Sequence, residues 1–464
     1  MAKKNRLFGD KKFYMMVLAI AVPVMIQNGI TNFVGLLDNI MVGRCGTEPM
    51  SGVAIVNQLL FVFNLCLFGA VSGVSIFSSQ YYGQRDWDGM RHAFRLKFII
   101  CLAIALLAIL VLLFGGDKLI SYYLLSSDSE GDALATFAYG QDYLKVMLFG
   151  LVPFALSQQY SSTLREMGDT KVPMIAGIIA VFTNLLFNWL LIFGKLGFPE
   201  LGVVGAAIAT VISRFVEVFI VAGWVHFHKE RYPFIVGAYK SMYMPAALVK
   251  NVAIKGTPLL INETLWSAGI ALLTQCYSLR GLEVIAAINI ASTITNLFNV
   301  VYLSLGSSAG LIIGPMLGAG ESEEAKDTAY RMIVLSVLVC VGVGLILFIV
   351  APLFPRFYNT GEDVRAIATS VIRIGACCTP IYGFVHCSYF ILRAGGKTII
   401  TFLFDSAFMW VFVIPAGLIL SRLTAMTILP MYTCIQAMDL IKCVVGFVLV
   451  KKGVWVNNIV DDMK

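Results

Sequence analysis

The sequence predicts an all-α polytopic membrane protein with twelve transmembrane helices, arranged as two six-helix parallel-repeat lobes around a central cavity. Of its 464 residues, 59% are hydrophobic and 13% are charged, whereas soluble domains carry about 25% charged residues. Apolar runs of about twenty residues, long enough to cross the hydrocarbon as helices, recur along the whole chain. Several features also recur in the same order in both halves, which indicates a duplicated architecture.

Polar breaks separate twelve apolar runs. The predicted spans cover residues 13–43, 52–79, 94–115, 137–163, 172–195, 202–227, 251–277, 284–314, 331–354, 368–391, 399–420 and 427–450. The longest central connection joins spans six and seven. We therefore expect an N-terminal lobe of residues 1–227, a cytoplasmic linker of residues 228–250 and a C-terminal lobe of residues 251–464.

The distribution of basic residues predicts that both termini are cytoplasmic. With the N-terminus inside, 23 Lys and Arg residues fall in inner segments, among them Lys3, Lys4, Arg6 and Lys97, against eight in outer segments. Such an excess is typical of the cytoplasmic side of a membrane protein. The net charge of +7 therefore does not require a nucleic-acid partner. No cleavable signal peptide is expected, since no small-residue cleavage site follows the basic N-terminus.

The residues that carry enzyme chemistry form no recognisable pattern. The four histidines and ten cysteines are scattered without zinc-type or nucleophile–base spacing, and we interpret cysteines such as Cys377 as small packing residues. A GxxxxGK[ST] nucleotide-binding loop is absent from the sequence. We therefore predict neither an enzyme, nor a cofactor, nor a nucleotide-driven pump.

The first span carries more polar groups than a membrane anchor needs. Its polar or helix-bending residues are Pro23, Gln27, Asn28, Asn32 and Asp38. Proline removes a backbone hydrogen bond and favours a bend. A charged carboxylate in the hydrocarbon costs about 2.5–3.5 kcal/mol on insertion scales, so it usually faces a cavity or a partner. The span therefore predicts a bent helix with a functional carboxylate.

The seventh span repeats this design. Pro258 is followed by Asn262 and Glu263 at the same spacing at which Gln27 and Asn28 follow the proline of span one. We expect Glu263 to lie near the middle of the bilayer, where a carboxylate can bind and release a cation.

Two further motifs recur between the halves. Glycines ten residues apart occur in Gly73–Gly83 after span two and in Gly310–Gly320 after span eight. The run Leu164–Lys171 after span four is repeated as Leu392–Thr398 after span ten. Two halves of six spans each would share one orientation, as parallel repeats about an axis along the membrane normal.

These residues resemble the multidrug and toxic compound extrusion (MATE) family over roughly residues 13–450. The most specific segments are Asp38–Gly46 (DNIMVGRCG), Ser79–Asp86 (SQYYGQRD), Leu164–Pro173 (LREMGDTKVP), Asn184–Gly194 and Leu201–Thr210. The resemblance implies a secondary antiporter that exports cationic or amphipathic organic compounds in exchange for H⁺ or Na⁺.

The resemblance also assigns site residues. Asp38 matches the acidic residue of helix one, and Asn184 and Asn188 match the pair in helix five, where many relatives have Asp at the second position. Glu263 matches the helix-seven acid of the NorM-like branch. That branch often has another acid in helix ten, where this sequence has His386 instead. Because NorM-like and DinF-like features are mixed, the coupling ion stays open, with Na⁺ at Asp38 or Glu263 as one alternative.

Each polar residue also has a purely structural interpretation. Asp38 could be an interfacial carboxylate near Arg44, and Glu263 could pair with a basic side chain elsewhere. Asp439 and Lys442 lie three residues apart and could neutralise each other. Residues that could either line a substrate cavity or hydrogen-bond neighbouring helices are Gln27, Asn28, Asn32, Asn262 and His386.

The predicted mechanism combines these elements. Cation binding at the acidic residues bends the helices at Pro23 or Pro258 and releases the drug outward from a monomeric transporter in the lipid bilayer. A lipid-linked oligosaccharide flippase of the same superfamily is the nearest alternative. Such a flippase would need a wide basic cavity, and the basic residues here cluster in cytoplasmic loops. A receptor or scaffold would not need acids buried in both halves.

Overall fold

The computed structural model describes residues 8–125 and 132–461, and within these residues the secondary structure is helical, without β-strands. Lys3, Lys4 and Arg6, which contributed to the predicted orientation, lie outside the described residues. The helices are α1 (Lys11–Gly43), α2 (Thr47–Gln84), α3 (Trp87–Leu125), α4 (Ala133–Met147), α5 (Leu151–Glu166), α6 (Lys171–Ile192), α7 (Gly202–Phe227), α8 (Ala246–Ser278), α9 (Leu282–Gly318), α10 (Ser322–Val350), α11 (Glu362–Ala394), α12 (Thr398–Phe402), α13 (Ile414–Arg422), α14 (Ile428–Ala437) and α15 (Asp439–Lys451).

Several of these helices join end to end. A 3₁₀ turn at Leu148–Gly150 connects α4 to α5, and two π-helical turns, Leu403–Ala407 and Met409–Val413, connect α12 to α13. Only Met438 separates α14 from α15. The described chain thus forms twelve long helical segments, which confirms the predicted fold class.

Ten of the twelve segments are long and apolar enough to cross a membrane by composition alone. The other two, α4–α5 and α8, contain polar residues that lower their mean hydropathy, among them Gln159 in α5 and Asn262 with Glu263 in α8. Pro23 lies inside α1 and Pro258 inside α8, and each of these helices runs over 33 residues.

The chain divides into two compact units. The C-terminal unit contains residues 8–25, 79–85 and 251–461, and the N-terminal unit contains residues 26–78, 86–125 and 132–250. In the C-terminal unit, Phe13 and Val17 of α1 belong to a buried cluster with Leu305 and Ile312 of α9 and Met332 of α10. The beginning of α1 is therefore packed together with helices from the far end of the sequence.

The core of the N-terminal unit consists of apolar side chains from α2 to α7. Val56 and Leu67 of α2 are clustered with Cys101 of α3, Leu151 of α5 and Ala207 of α7. Small residues such as Ala207 allow close approach of helix backbones, as expected where dispersion rather than water drives helix packing.

Cysteines occupy both buried and exposed positions. Cys101, Cys276, Cys340 and Cys387 are buried, as expected for small packing residues. Cys377, which the sequence analysis interpreted in the same way, is exposed. An apolar residue in a membrane-spanning helix can lie either in the protein core or on the outer helix surface, and hydropathy alone does not distinguish these two positions.

The repeated motif after spans four and ten forms the same helix-ending turn twice. Gly168 after α5 and Gly396 after α11 both have positive φ, 78° and 71°. Their amides donate to the carbonyls of Arg165 and Arg393, both at 2.9 Å. A glycine that accepts the left-handed conformation ends a helix in this way, which explains why the motif recurs.

The segment after α7 is held against the N-terminal unit by side-chain bonds. The guanidinium of Arg95 in α3 donates to the carbonyl oxygens of Ala238 at 2.7 Å, Gly237 at 2.9 Å and Tyr243 at 3.2 Å. Tyr232 donates to the carboxylate of Asp169 at 2.6 Å. Burial and this carboxylate raise the pKa of Tyr232 to about 12, so its hydroxyl keeps donating at neutral pH.

Arg95→Gln should release residues 237–243 without unfolding the helices, because three backbone carbonyls lose one shared charged donor. We expect limited proteolysis of this segment to accelerate about tenfold, equivalent to the loss of about 1.4 kcal/mol from local closure. Arg91→Gln is the matched control, since Arg91 on the same helix pairs with Asp88, three residues away. Equal cleavage rates in both variants would show that Arg95 does not hold the segment.

Lys97 corrects one assumption of the sequence analysis. It was counted among the basic residues of a cytoplasmic loop, but it is fully buried in α3 and its ammonium nitrogen lies 2.5 Å from Oε1 of Glu166 in α5. Ser78 donates to the same carboxylate. Hydropathy patterns could not show this, because the two charged residues lie 69 positions apart.

The end of α2 contacts α9 and the segment after α15 within the C-terminal unit. Gln80 is completely buried. Its side-chain nitrogen donates to the carbonyls of Ala394 at 3.1 Å and Asn457 at 3.2 Å, and its oxygen accepts from the amide of Ile459 at 2.8 Å. The side chain thereby satisfies backbone groups of α11 and of the C-terminal segment at once.

Candidate functional site

The predicted acid of helix one lies in a polar cluster of the N-terminal unit. Asp38 on α1 accepts from Nδ2 of Asn188 on α6 at 2.5 Å. Asn184 lies one turn earlier on the same face of α6, and Asn188 also donates to its Oδ1 at 3.2 Å. When the Asn184 amide nitrogen faces the carboxylate, it lies 2.9 and 3.2 Å from the two Asp38 oxygens and its own oxygen accepts from Thr210 of α7. The structure therefore brings Asp38, Asn184 and Asn188 together.

The atoms of this cluster suit a small cation. Carboxylate, amide and hydroxyl oxygens are ligands for hard cations, and a carboxylate can alternatively take a proton. Oδ1 of Asn188 is buried and, among the described residues, has no hydrogen-bond partner, although a buried polar atom is normally satisfied. Arg44, the suggested partner of an interfacial Asp38, is itself exposed. Sequence reasoning missed Thr210 as a neighbour of the site, although it ends one of the segments that carry the family resemblance.

The other polar residues of α1 occupy different surroundings. Gln27 is half-buried, and its Oε1 accepts from Nη2 of Arg165 at 3.1 Å. Asn28 and Asn32 are exposed in the structure. Gln27 thus forms a hydrogen bond to a neighbouring helix, α5.

In the C-terminal unit, Asn262 of α8 is held by several hydrogen bonds. It is buried, and its Nδ2 donates to Asp405 at 3.1 Å and to the Tyr389 hydroxyl at 3.3 Å. Its side-chain oxygen accepts from the amide of Ser406, and its backbone oxygen accepts from the Ser406 hydroxyl at 2.7 Å. Asn262 therefore ties α8 to the π-helical turn Leu403–Ala407.

Glu263 is half-buried beside Asn262. Its electrostatic neighbours include Arg393 of α11 and Asp405. Arg393 is thus a basic side chain in the neighbourhood of Glu263, and it comes from a part of the sequence where only a loop charge was expected. His386 stacks on Tyr302, with ring centroids 4.8 Å apart, as a packed histidine does.

Sequence reasoning missed a charged cluster one helix away. Lys442 of α15 lies with its ammonium nitrogen 3.3 Å from Oδ1 of Asp405 and 3.6 Å from Oδ1 of Asp439. The i, i+3 pairing of Asp439 and Lys442 was foreseen, but the contribution of Asp405 was not. Asp405 is the charged residue of an otherwise apolar stretch from residue 399 to 420. Like Asp38 in span one, Asp405 is a carboxylate within an apolar run, and this signal is visible in the sequence.

A family model, MatE, matches two stretches of the chain, residues 23–190 and 258–419. These stretches begin at Pro23 and Pro258, the two prolines that the sequence analysis paired, and together they cover well over half of the chain. The chain belongs to the MatE family. The members of this family are transporters. This MatE chain is therefore a transporter and not a membrane enzyme.

Individual relatives agree with this assignment. The chain is 27% identical over 359 residues, 77% of its length and 75% of the relative's, to a probable multidrug resistance protein NorM of Thermotoga maritima. It is 24% identical over 87% of both chains to a probable multidrug resistance protein NorM of Halalkalibacterium halodurans. A solved outward-facing structure of a multidrug resistance MATE family transporter covers 97% of the chain, with a TM-score of 0.85 at 19% identity. This MatE chain therefore shares the MATE transporter fold.

Proposed function

We propose that this MatE chain is a secondary antiporter of the cytoplasmic membrane that exports cationic or amphipathic organic compounds in exchange for H⁺ or Na⁺. The carrying observation is the cluster of Asp38, Asn184 and Asn188, where one carboxylate is surrounded by amide groups and one amide oxygen lacks a partner among the described residues. The names of the curated relatives support multidrug export. Both termini are proposed to be cytoplasmic and the transporter to be monomeric.

The proposed coupling is a competition at Asp38. When an inorganic cation binds the Asp38 carboxylate, the hydrogen bonds between this carboxylate and the amides of α6 change. An organic cation cannot bind the same carboxylate at the same time. Linkage then requires that each cation weakens binding of the other by the same factor. The proline at residue 23 lies in the same helix, so a bend there would transmit occupancy of the site to the start of α1.

The second acid supports a parallel proposal for the C-terminal lobe, residues 251–464. Glu263 lies five residues after Pro258, as Asn28 does after Pro23, and Arg393 balances part of its charge. We propose that Glu263 participates in coupling through α8, with the linker of residues 228–250 joining the two lobes. The flippase alternative receives no support from the relatives' names.

Asp38→Asn should slow export of ethidium from energised vesicles by between about fivefold and 150-fold, the range of typical coupling free energies. Glu263→Gln should slow it as well, by a smaller factor, because the carboxylate of Asp405 keeps a negative charge close to that site. Asp142→Asn is the control, since Asp142 pairs with Lys145 in an exposed i, i+3 position. Wild-type rates in both Asp38→Asn and Glu263→Gln would refute the proposed function.

The coupling ion is identified by the driving gradient. Vesicles loaded with ethidium are exposed either to a pH jump at constant Na⁺ or to a Na⁺ jump at constant pH. The ion whose jump drives substrate movement in the wild type, but not in Asp38→Asn, is the coupling ion at that site. Rescue of a strain that lacks its lipid-precursor flippase, without drug resistance, would instead favour the flippase, and failure to move any solute would favour a receptor or scaffold.

A further inference from the structure

A cavity of about 820 Å³ lies in the C-terminal unit where α1 begins. Residues from the beginning of α1, the beginning of α10 and the end of α9 form its wall. Because the ends of spanning helices mark the membrane surface, the cavity lies at the level of the lipid headgroups. Its volume is within the range of about 300–1,000 Å³ that is typical of small-molecule sites.

One part of the cavity wall is apolar. The side chains that form it are Phe8, Phe13, Met16 and Met316. Methionine side chains are flexible and polarisable, and they adapt to apolar groups of irregular shape. An apolar wall beside charged side chains is the surface that an amphiphilic molecule needs, since its apolar and polar parts must both be contacted.

Arg331 of α10 lines this cavity with unused hydrogen-bond donors. Its Nε atom is buried and has no hydrogen-bond partner among the described residues. The guanidinium carbon lies 5.9 Å from the centroid of the Phe13 ring, and within the described ranges no acid forms an ion pair with Arg331. A guanidinium offers five N–H donors and binds phosphate oxygens two at a time. Since buried donors are normally satisfied, Arg331 indicates a ligand with anionic oxygens.

The charged side chains of the cavity restrict the ligand further. Lys12 and Arg331 are basic, whereas Asp10 and Glu324 are acidic. Asp10 is engaged in starting α1, because its Oδ1 accepts from the amide of Phe13 at 2.8 Å. Glu324 is exposed in the first turn of α10 and can accept from a ligand. A headgroup with one phosphate and one amine therefore fits these charges, whereas a purely anionic headgroup would face the two carboxylates without a compensating positive group.

We infer that this cavity binds a phospholipid whose headgroup carries both a phosphate and a primary amine. Arg331 and Lys12 bind the phosphate, as basic pockets between membrane helices do. Glu324 accepts from the amine, and the apolar wall contacts the glycerol and the first part of the acyl chains. In the proposed orientation, the lipid belongs to the cytoplasmic leaflet. Lipid binding by the purified protein does not depend on the proposed export activity.

The test is photoaffinity labelling of the purified full-length protein in vesicles of phosphatidylcholine. A trace of phosphatidylethanolamine carries a diazirine beside the glycerol, and the labelled peptides are quantified by mass spectrometry. We expect saturable labelling of residues 8–16 and 324–331, which unlabelled phosphatidylethanolamine displaces and phosphatidylglycerol does not. Arg331→Gln should weaken binding of the probe by about tenfold, because it removes charged hydrogen bonds to the phosphate.

Glu324→Gln tests recognition of the amine at an exposed position. It should remove the preference between the two lipids, so that phosphatidylglycerol displaces the probe as well as phosphatidylethanolamine does. An unchanged preference in this folded variant would contradict the assigned role of Glu324 and overturn the inference of an amine-containing headgroup.

Lys326→Gln is the matched control for Arg331→Gln. It removes one positive charge from the same helix, but Lys326 pairs with Glu323 at 2.7 Å and does not belong to the cavity wall. Labelling should be unchanged. If Arg331→Gln does not elute as a monodisperse protein, the exposed variant Lys12→Gln replaces it, with an expected loss of severalfold. Equal losses in the control and the cavity variant, or labelling spread evenly over the lipid-facing helices, would overturn the inference.

Discussion

Lys97→Met is expected to lower the stability of the N-terminal unit by about 3–5 kcal/mol, because it leaves a buried carboxylate without its counter-charge. The lysine side chain is completely buried and that of Glu166 is 2% exposed. The ammonium nitrogen lies 2.5 and 2.6 Å from the two carboxylate oxygens and also donates to Ser162 at 3.2 Å. The measurement is thermal unfolding of the detergent-solubilised protein.

The double variant Lys97→Met/Glu166→Gln should recover most of this loss, since it removes both charges and keeps two side chains of similar size. Lys145→Met is the matched control, because its pair with Asp142 is exposed at 65% and 56%. Exposed pairs contribute about 0–1 kcal/mol. If Lys97→Met were as stable as the double variant, the pair would not hold the unit together.

Gly318→Ala should destabilise the C-terminal unit by at least about 2 kcal/mol, because the added methyl group has no space. A Cβ atom at Gly318 would lie 2.0 Å from the backbone oxygen of Gln80, and backbone atoms cannot move aside as a flexible side chain can. A Cβ atom at Gly83 would likewise lie 1.9 Å from the backbone oxygen of Pro315. Helices α2 and α9 can therefore approach each other this closely only because glycines lie at their contact.

Gly342→Ala on α10 is the control for this prediction. A Cβ atom there meets nothing within 4 Å, and alanine in a helix interior is favoured over glycine by about 1 kcal/mol. Melting temperatures of the purified variants should move in opposite directions. Equal or higher stability of Gly318→Ala would mean that α2 and α9 can separate without cost.

The fold was predictable because its determinants are local. Runs of apolar side chains define the helices, and the helix-ending turns at Gly168 and Gly396 repeat a motif that is visible in the sequence. The cluster of Asp38, Asn184 and Asn188 was also accessible, because residues four apart on one helix share a face. The family resemblance then placed that face opposite the acid of helix one.

Other parts of the site depend on contacts that no local pattern encodes. Lys97 looked like a loop charge because its partner, Glu166, belongs to another helix. Asp405 has no charged neighbour along its own helix, and its partner Lys442 follows 37 positions later. Likewise, the hydrogen bond from Arg165 to Gln27 joins two different helices, α5 and α1, and no local pattern in the sequence indicates it. Long-range pairing of single polar residues is thus the information that the sequence did not reveal.

The buried side chain of Gln80 has a consequence for biogenesis. Its three hydrogen-bond partners lie 314, 377 and 379 positions further along the chain. During translation, α2 enters the bilayer long before the ribosome has made Ile459. Until then, the side-chain amide of Gln80 must form hydrogen bonds with other partners, such as water or lipid headgroups. The region around Gln80 can therefore reach its native structure only after nearly the whole polypeptide has been synthesised. In a nascent chain truncated before residue 453, the region around Gln80 should remain accessible to chaperones and proteases.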